Sequence, residues 1–256
     1  MSSTEPEDNE GEQSFISHLI ELRERLLKAV AAVAVVLLCL LPFANKLYGW
    51  LALPLVSHLP QGGTMIAIEV ISPFLIPLKF AFFVALVLAM PVVLYQLWAF
   101  VAPGLYKHEK RLSVPILISA VVLFYIGCAF AYFLVLPAVA KFTTSFAPAG
   151  VTVSPDIGKY LDFTLLLFLA FGVCFEIPVV LLILVIVGVV TPTQLAQGRR
   201  YAIVGAFVIA AFLTPPDALS MLMLAIPMCL LYELGILGAR LLIRPQTQDR
   251  SDSAGA

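Results

Sequence analysis

Between Pro73 and Val101 the chain runs for 29 residues with a single charged side chain, Lys79. About 20 apolar residues are enough for a helix to cross the roughly 30 Å hydrocarbon core of a bilayer. Comparable runs lie near Leu26–Ala44, Leu112–Leu136 and Phe163–Val187, and two more, close together, near Tyr201–Leu213 and Ala218–Ala239. Hydrophobic residues make up 61% of the chain and charged residues 12%, where a soluble domain sits near half and a quarter. The expected fold is an all-α polytopic membrane protein with six transmembrane helices, the last two short. The alternative is four spans followed by a re-entrant hairpin.

The runs are unequal, and the inequalities are informative. Pro73–Val101 is longer than a crossing needs, so its helix tilts, kinks at Pro91 or projects from the bilayer. Lys79 lies near its start, where a lysine stem can snorkel its ammonium to water. Pro137 is expected to close the third span. Tyr201–Leu213 covers only about 20 Å at 1.5 Å per residue, several Å short of the hydrocarbon thickness. Either the bilayer thins there, or the Pro215-Pro216-Asp217 turn sits below the usual surface. The loop after the first span holds Pro54, Pro60, Gly62 and Gly63 and an extended piece, Thr64–Val70, with Tyr48 and Trp50 suited to the membrane interface.

Six spans put both termini on one side. Eleven of the fifteen Lys and Arg residues then fall on that side, and Lys46, Lys141 and Lys159 on the other, with Lys79 inside a span. The positive-inside rule places both termini, and the charged loop Phe100–Arg111, in the cytoplasm. Residues 1–13 carry five acidic and no basic residues. They lack the basic region of a signal peptide and read as a disordered acidic tail. Residues 14–240 form the membrane domain, and 241–256 a disordered cytoplasmic tail. Cys39, Cys128, Cys174 and Cys229 each sit in an apolar run and read as small hydrophobes.

No phosphate loop, HExxH, GxSxG or metal-ligand spacing is present. The chain reads as a non-enzyme without catalytic residues, metal, cofactor or nucleic-acid partner. What remains is a set of ionisable groups in or near the membrane. A carboxylate within a span costs about 2.5–3.5 kcal/mol on insertion scales, so it usually faces protein or a water-filled cavity. Glu176, followed by Pro178 inside LAFGVCFEIPVVLL, is either a neutral acid bonded to a carbonyl that Pro178 frees, or a proton or cation site or the polar floor of a groove. Asp217, after two prolines, suits a helix cap. Glu233 suits a structural polar contact or a place near the cytoplasmic interface.

The cytoplasmic face is basic, yet Glu21, Glu24 and Glu109 stand among its cations. In SFISHLIELRERLLK the residues His18, Glu21 and Arg25 share one helix face opposite Leu19, Leu22 and Leu26. A structural reading makes Glu21–Arg25 and Glu24–Lys28 ordinary i, i+4 pairs worth roughly 0.2–0.5 kcal/mol each. A functional reading makes the carboxylates receivers of a cationic ligand. Arginine would be preferred to lysine, because guanidinium meets carboxylate through two parallel hydrogen bonds.

SFISHLIELRERLLKAV, WAFVAPGLYKHEKR, FGVCFEIPV and LTPPD…LLAIPM together resemble the TatC family, the polytopic subunits of the bacterial twin-arginine protein translocase. The likeness runs through residues 14–240 in order. It implies a concave, glove-like six-span fold in the bacterial cytoplasmic (inner) membrane. It also implies recognition of twin-arginine signal peptides on folded cargo, work with the single-span subunits TatA and TatB, self-association, and transport driven by the proton motive force. The resemblance assigns signal-peptide binding to Glu21, Arg23, Arg25, Phe100 and Glu109. It assigns the intramembrane glutamate to Glu176, and functional positions on the periplasmic side to Pro54, Glu69 and Asp217. Two positions depart from the family pattern: Met221 stands where glutamine is common, and Glu69 where aspartate is.

The competing class is a proton-coupled small-molecule transporter with Glu176 as its carrier. Such folds often carry internal repeats with paired broken helices, and the Pro178 break has no good counterpart in the first half of the chain.

Overall fold

A computed structural model describes residues 7–57, 65–101, 113–145, 154–213 and 218–242, with side chains described in the first helix from His18 onward. The described residues are almost wholly helical. The helices are α1 (Glu7–Leu40), α2 (Ala44–Val56), α3 (Ser72–Val101), α4 (Ser113–Phe130), α5 (Leu136–Ser145), α6 (Ile157–Phe175), α7 (Ile177–Ile186), α8 (Pro192–Gln197), α9 (Arg199–Leu213) and α10 (Ala218–Leu242). A 3₁₀ turn, Leu41–Phe43, joins α1 to α2, and a π-helical segment, Ala131–Val135, joins α4 to α5. Five helical stretches are long and apolar enough to cross a membrane: His18–Leu53, Ser72–Phe100, Val114–Lys141, Ile157–Ile186 and Met221–Leu241. α9, the remaining expected span, has 15 residues, or about 22 Å.

Several boundaries differ from the sequence reading. α1 takes in Glu7–Gln13 of the acidic head, where acidic side chains suit a helix N-terminus. The first helical stretch does not end at Ala44: the 3₁₀ turn and α2 carry it on through Tyr48 and Trp50. Pro137 does not close the third span. It sits at the second position of α5, directly after the π-helical segment, so its missing N–H and ring are accommodated and the helix runs on to Ser145.

The chain packs as two units. The first comprises residues 1–122 and 131–168, the second residues 123–130 and 169–256. In the first unit α1 lies along α3. Val33 packs with Ala85 and Ala89, flanked by Val36, Leu37, Leu40, Leu86 and Val93. Ala81, Ala85 and Ala89 recur every four residues on α3 and are almost wholly buried. Small residues at that spacing let two helix backbones approach closely where lipid supplies no hydrophobic drive. α2 packs on α3 and α5, and Leu51, Leu161, Thr164 and Leu167 are fully buried. The Thr164 hydroxyl donates to the Tyr160 carbonyl at 2.8 Å.

In the second unit α10 packs on α7, α8 and α9. Its core is Leu181, Val185, Leu195, Ile236 and Ala239. Gly235 is required by the closeness of the α7–α10 contact: a Cβ there would lie 2.7 Å from Leu181 Cδ1 and 3.0 Å from Pro178 Cα. Gly127 has the same role beside α6, where a Cβ would meet the Phe171 carbonyl oxygen at 2.7 Å. The Phe130 ring rests on Phe171 and Phe175, with centroids 5.2 and 5.7 Å away.

Candidate functional site

At the start of α1 the imidazole of His18 stacks on Phe100, with ring centroids 4.2 Å apart and planes inclined by 24°. α3 ends one residue later, at Val101. The stack therefore fastens the leading helix to the foot of the Phe100–Arg111 loop. One turn along from His18, the Glu21 Oε1 accepts from Arg25 Nε at 2.9 Å and Nη2 at 2.5 Å. Both nitrogens meet the same oxygen, so the carboxylate is oriented while Oε2 keeps its lone pairs for another donor. Of the two i, i+4 pairs read from the sequence, Glu21–Arg25 alone is closed among the described residues. Arg23 is exposed. Glu109 lies outside the described residues, so Glu21, Arg25 and Phe100 are the expected signal-binding residues that can be placed together.

A second polar constellation lies in the first unit, at the opposite end of α1 and α3. Pro54 belongs to α2 and has no N–H for the carbonyl of Trp50, one turn back. The Tyr132 hydroxyl donates to that carbonyl at 2.8 Å. Tyr160 donates to the Leu51 carbonyl at 3.1 Å. Ile66 and Asp156 form an isolated parallel bridge, closed by Ile66 N–H to Pro155 O at 3.1 Å and Ile157 N–H to Ile66 O at 2.9 Å. This is the extended piece expected between Thr64 and Val70.

Asp156 then caps α6. Its carboxylate accepts from the Lys159 N–H at 2.9 Å and from the Ile68 N–H at 3.1 Å. The Lys159 N–H, joined by those of Ile68 and Gly158, holds the carboxyl below its ordinary range. Glu69 accepts from the Ser72 hydroxyl at 3.3 Å. Lys79 forms an ion pair with Asp162, so it ties α3 to α6 instead of snorkelling alone. Glu69, Ser72, Lys79, Asp156 and Asp162 share a cleft of about 730 Å³ with Leu37 of α1 and Leu41 of the 3₁₀ turn that follows it.

Glu176 stands in the second unit at the junction of α6 and α7. Pro178 lacks the N–H that would serve the carbonyl of Cys174, and the helix breaks there. The Glu176 N–H reaches Val173 O at 3.1 Å, and its carbonyl receives Val180 N–H at 2.9 Å. Its side-chain Oε1 is buried and makes no hydrogen bond among the described residues. The sequence reading of an acid bonded to a freed carbonyl is thus not realised at Oε1. Glu233 is the structural contact expected of it: Arg199 Nη2 donates to Oε2 at 2.8 Å, and Arg199 Nε stands 2.8 Å from Oε1.

Asp217 lies outside the described residues. Met221 is half-buried on α10. The cysteines are free thiols. The described residues hold no cluster of His, Cys, Asp or Glu able to bind a metal. The sequence reading passed over Tyr132 and Asp156. Tyr132 carried a signal of a kind, since a proline inside a helix leaves one carbonyl open and a tyrosine is a natural donor. His18 was visible on the Glu21 face, but nothing in the spacing paired it with Phe100.

Comparison with known proteins follows the same lines. Residues 17–227 match the family model TatC, Sec-independent protein translocase protein. The Sec-independent protein translocase protein TatC of Halothiobacillus neapolitanus is 56% identical over 230 residues, which are 90% of this chain and 63% of that one. The TatC of Escherichia coli K12 is 53% identical over 231 residues, 90% of each chain. A crystal structure of the twin-arginine translocase receptor TatC superposes with a TM-score of 0.78 at 39% identity, covering 89% of this chain and all of that one.

Proposed function

The chain belongs to the TatC family of Sec-independent protein translocase proteins, and on that premise we propose that it is the receptor and assembly core of the twin-arginine translocation system. Its role is transport, not catalysis. It spans the bacterial cytoplasmic membrane several times, with both termini in the cytoplasm. It receives the signal peptides of folded cargo and gathers the single-span subunits TatA and TatB. Copies of the chain associate with one another, and transport draws on the proton motive force.

Glu21 and Glu109 read the paired arginines of the signal peptide, while Arg23 and Arg25 orient the carboxylates. Phe100 holds the reader at the membrane surface, and the apolar part of the peptide runs along the groove that contains Glu176. Pro54, Glu69 and Asp217 act at the periplasmic side. The membrane domain occupies 14–240, between an acidic head and a polar tail.

The observation that carries this reading is the leading helix docked by His18 on Phe100, with a Glu21 carboxylate fixed through one oxygen. A carboxylate held in one orientation suits the directed N–H donors of a guanidinium and rewards lysine less. A proton-coupled carrier has no support from the relatives, which are named as protein translocases. The test is photo-crosslinking from position 109 to a twin-arginine signal peptide and to its twin-lysine version. Strong labelling by the first and weak labelling by the second is expected. Equal labelling ends the claim of arginine recognition.

A further inference from the structure

At the end of α10 that carries Arg240, a groove of about 410 Å³ is lined by Arg199, Glu233 and Arg240 with Leu230, Leu234 and Leu237. The leucines are spaced by four and three residues, so they form one stripe along the helix. Each is more than half exposed, and together they extend about 10 Å along the axis. The stripe is apolar, and polar side chains gather only at the arginine end. An apolar track with a cationic head is the complement of an amphiphile with a negative head.

The charges narrow the choice. Glu233 has both oxygens occupied by Arg199, so it offers little to an incoming ammonium. That contact uses two of the five N–H donors of Arg199. Arg240 has no ion-pair partner among the described residues. The groove thus holds two guanidinium groups against one carboxylate and has room for a single negative charge. Guanidinium suits phosphate, which it can meet with two hydrogen bonds. Basic pockets between membrane helices are sites where anionic lipid headgroups settle.

We propose that this groove holds an anionic phospholipid, with its phosphodiester on Arg240 and Arg199 and one acyl chain along Leu230, Leu234 and Leu237. The Arg199–Glu233 pair holds the Arg199 fork in place for the phosphate. In the orientation proposed above the groove opens to the cytoplasmic leaflet; the binding chemistry does not rest on that orientation, and the test needs neither peptide nor transport.

The full-length protein in a neutral detergent is titrated with a fluorescent phosphatidylglycerol, then challenged with unlabelled phosphatidylglycerol, phosphatidylcholine or inorganic phosphate. Phosphatidylglycerol is expected to compete at least about fivefold better than phosphatidylcholine, and Arg240→Gln to weaken binding by about fivefold. Arg240→Lys should retain more affinity than Arg240→Gln. Lys46→Gln, far along the sequence in α2, should change nothing. Three results overturn the proposal: equal competition by the two lipids, unaltered binding in Arg240→Gln, or displacement by inorganic phosphate as good as by lipid. Displacement only by an apolar helical peptide would assign the groove to a partner helix, and it overturns the proposal too.

Discussion

The hydroxyl of Tyr132 lies 2.8 Å from the carbonyl oxygen of Trp50, the acceptor that Pro54 leaves without its helical donor. A proline in the last turn of α2 is thus compensated from another helix. An unmade bond to such a carbonyl costs about 1–3 kcal/mol when buried and less at an interface. Tyr132→Phe should therefore destabilise by about 1 kcal/mol in thermal unfolding. In the Pro54→Ala background the restored N–H serves Trp50, and Tyr132→Phe should then cost little. Equal losses in both backgrounds would show that the two residues are uncoupled.

The Glu21–Arg25 contact predicts a separation of stability from binding. Arg25→Gln removes a half-buried i, i+4 pair and should change stability by no more than about 0.5 kcal/mol. Glu21→Gln removes a charged acceptor and should weaken twin-arginine peptide binding by about tenfold or more. Thermal unfolding checks the first and peptide titration by fluorescence anisotropy the second. A Glu21→Gln protein that binds normally would remove Glu21 from the reader.

Lys79 and Asp162 join α3 to α6 with both side chains more than half exposed. Pairs of this exposure contribute about 0.2–1 kcal/mol. A cycle of Lys79→Gln, Asp162→Asn and the double substitution should give a coupling within that range, shrinking as salt is added. A coupling of several kcal/mol would mean that the pair is far drier than its exposure indicates.

Asp156 predicts a pH dependence. Its folded carboxyl titrates below the ordinary value of 3.8, so the charged cap binds its N–H donors with full effect above that value. Its contribution is lost as pH falls through the lower folded pKa. Protection of the Lys159 and Ile68 amides, taken relative to their intrinsic exchange at each pH, should fall on acidification below about pH 4. Asp156→Asn should remove that acid-dependent loss, and an unchanged acid profile in the variant would assign it to another group.

The spans were legible because burial in lipid writes itself into composition. Pro73–Val101 and Phe163–Val187 fall close to observed helices for that reason. What escaped the sequence was long-range pairing. The Lys79 run gave no hint of Asp162, 83 residues on, and the Glu21 face gave none of Phe100. Pro137 misled because a proline early in a helix after a π turn meets none of the usual obstacles. The site was legible as residue types and as a family likeness. Its geometry depended on which helices lie side by side, and short-range periodicity carries no information about that.

α1 runs unbroken for 34 residues, about 51 Å, against a hydrocarbon core of roughly 30 Å. It touches both polar constellations of its unit: His18 and Glu21 near one end, and Leu37, with Leu41 just beyond, bordering the Glu69 cleft at the other. A straight rod of that length, pressed against α3 along a seam of alanines, has few soft ways to deform. It can tilt or slide, and either motion moves both ends. Whatever displaces the Glu21 end of the rod therefore also displaces the end that borders the Glu69 cleft, about 30 Å away along the axis.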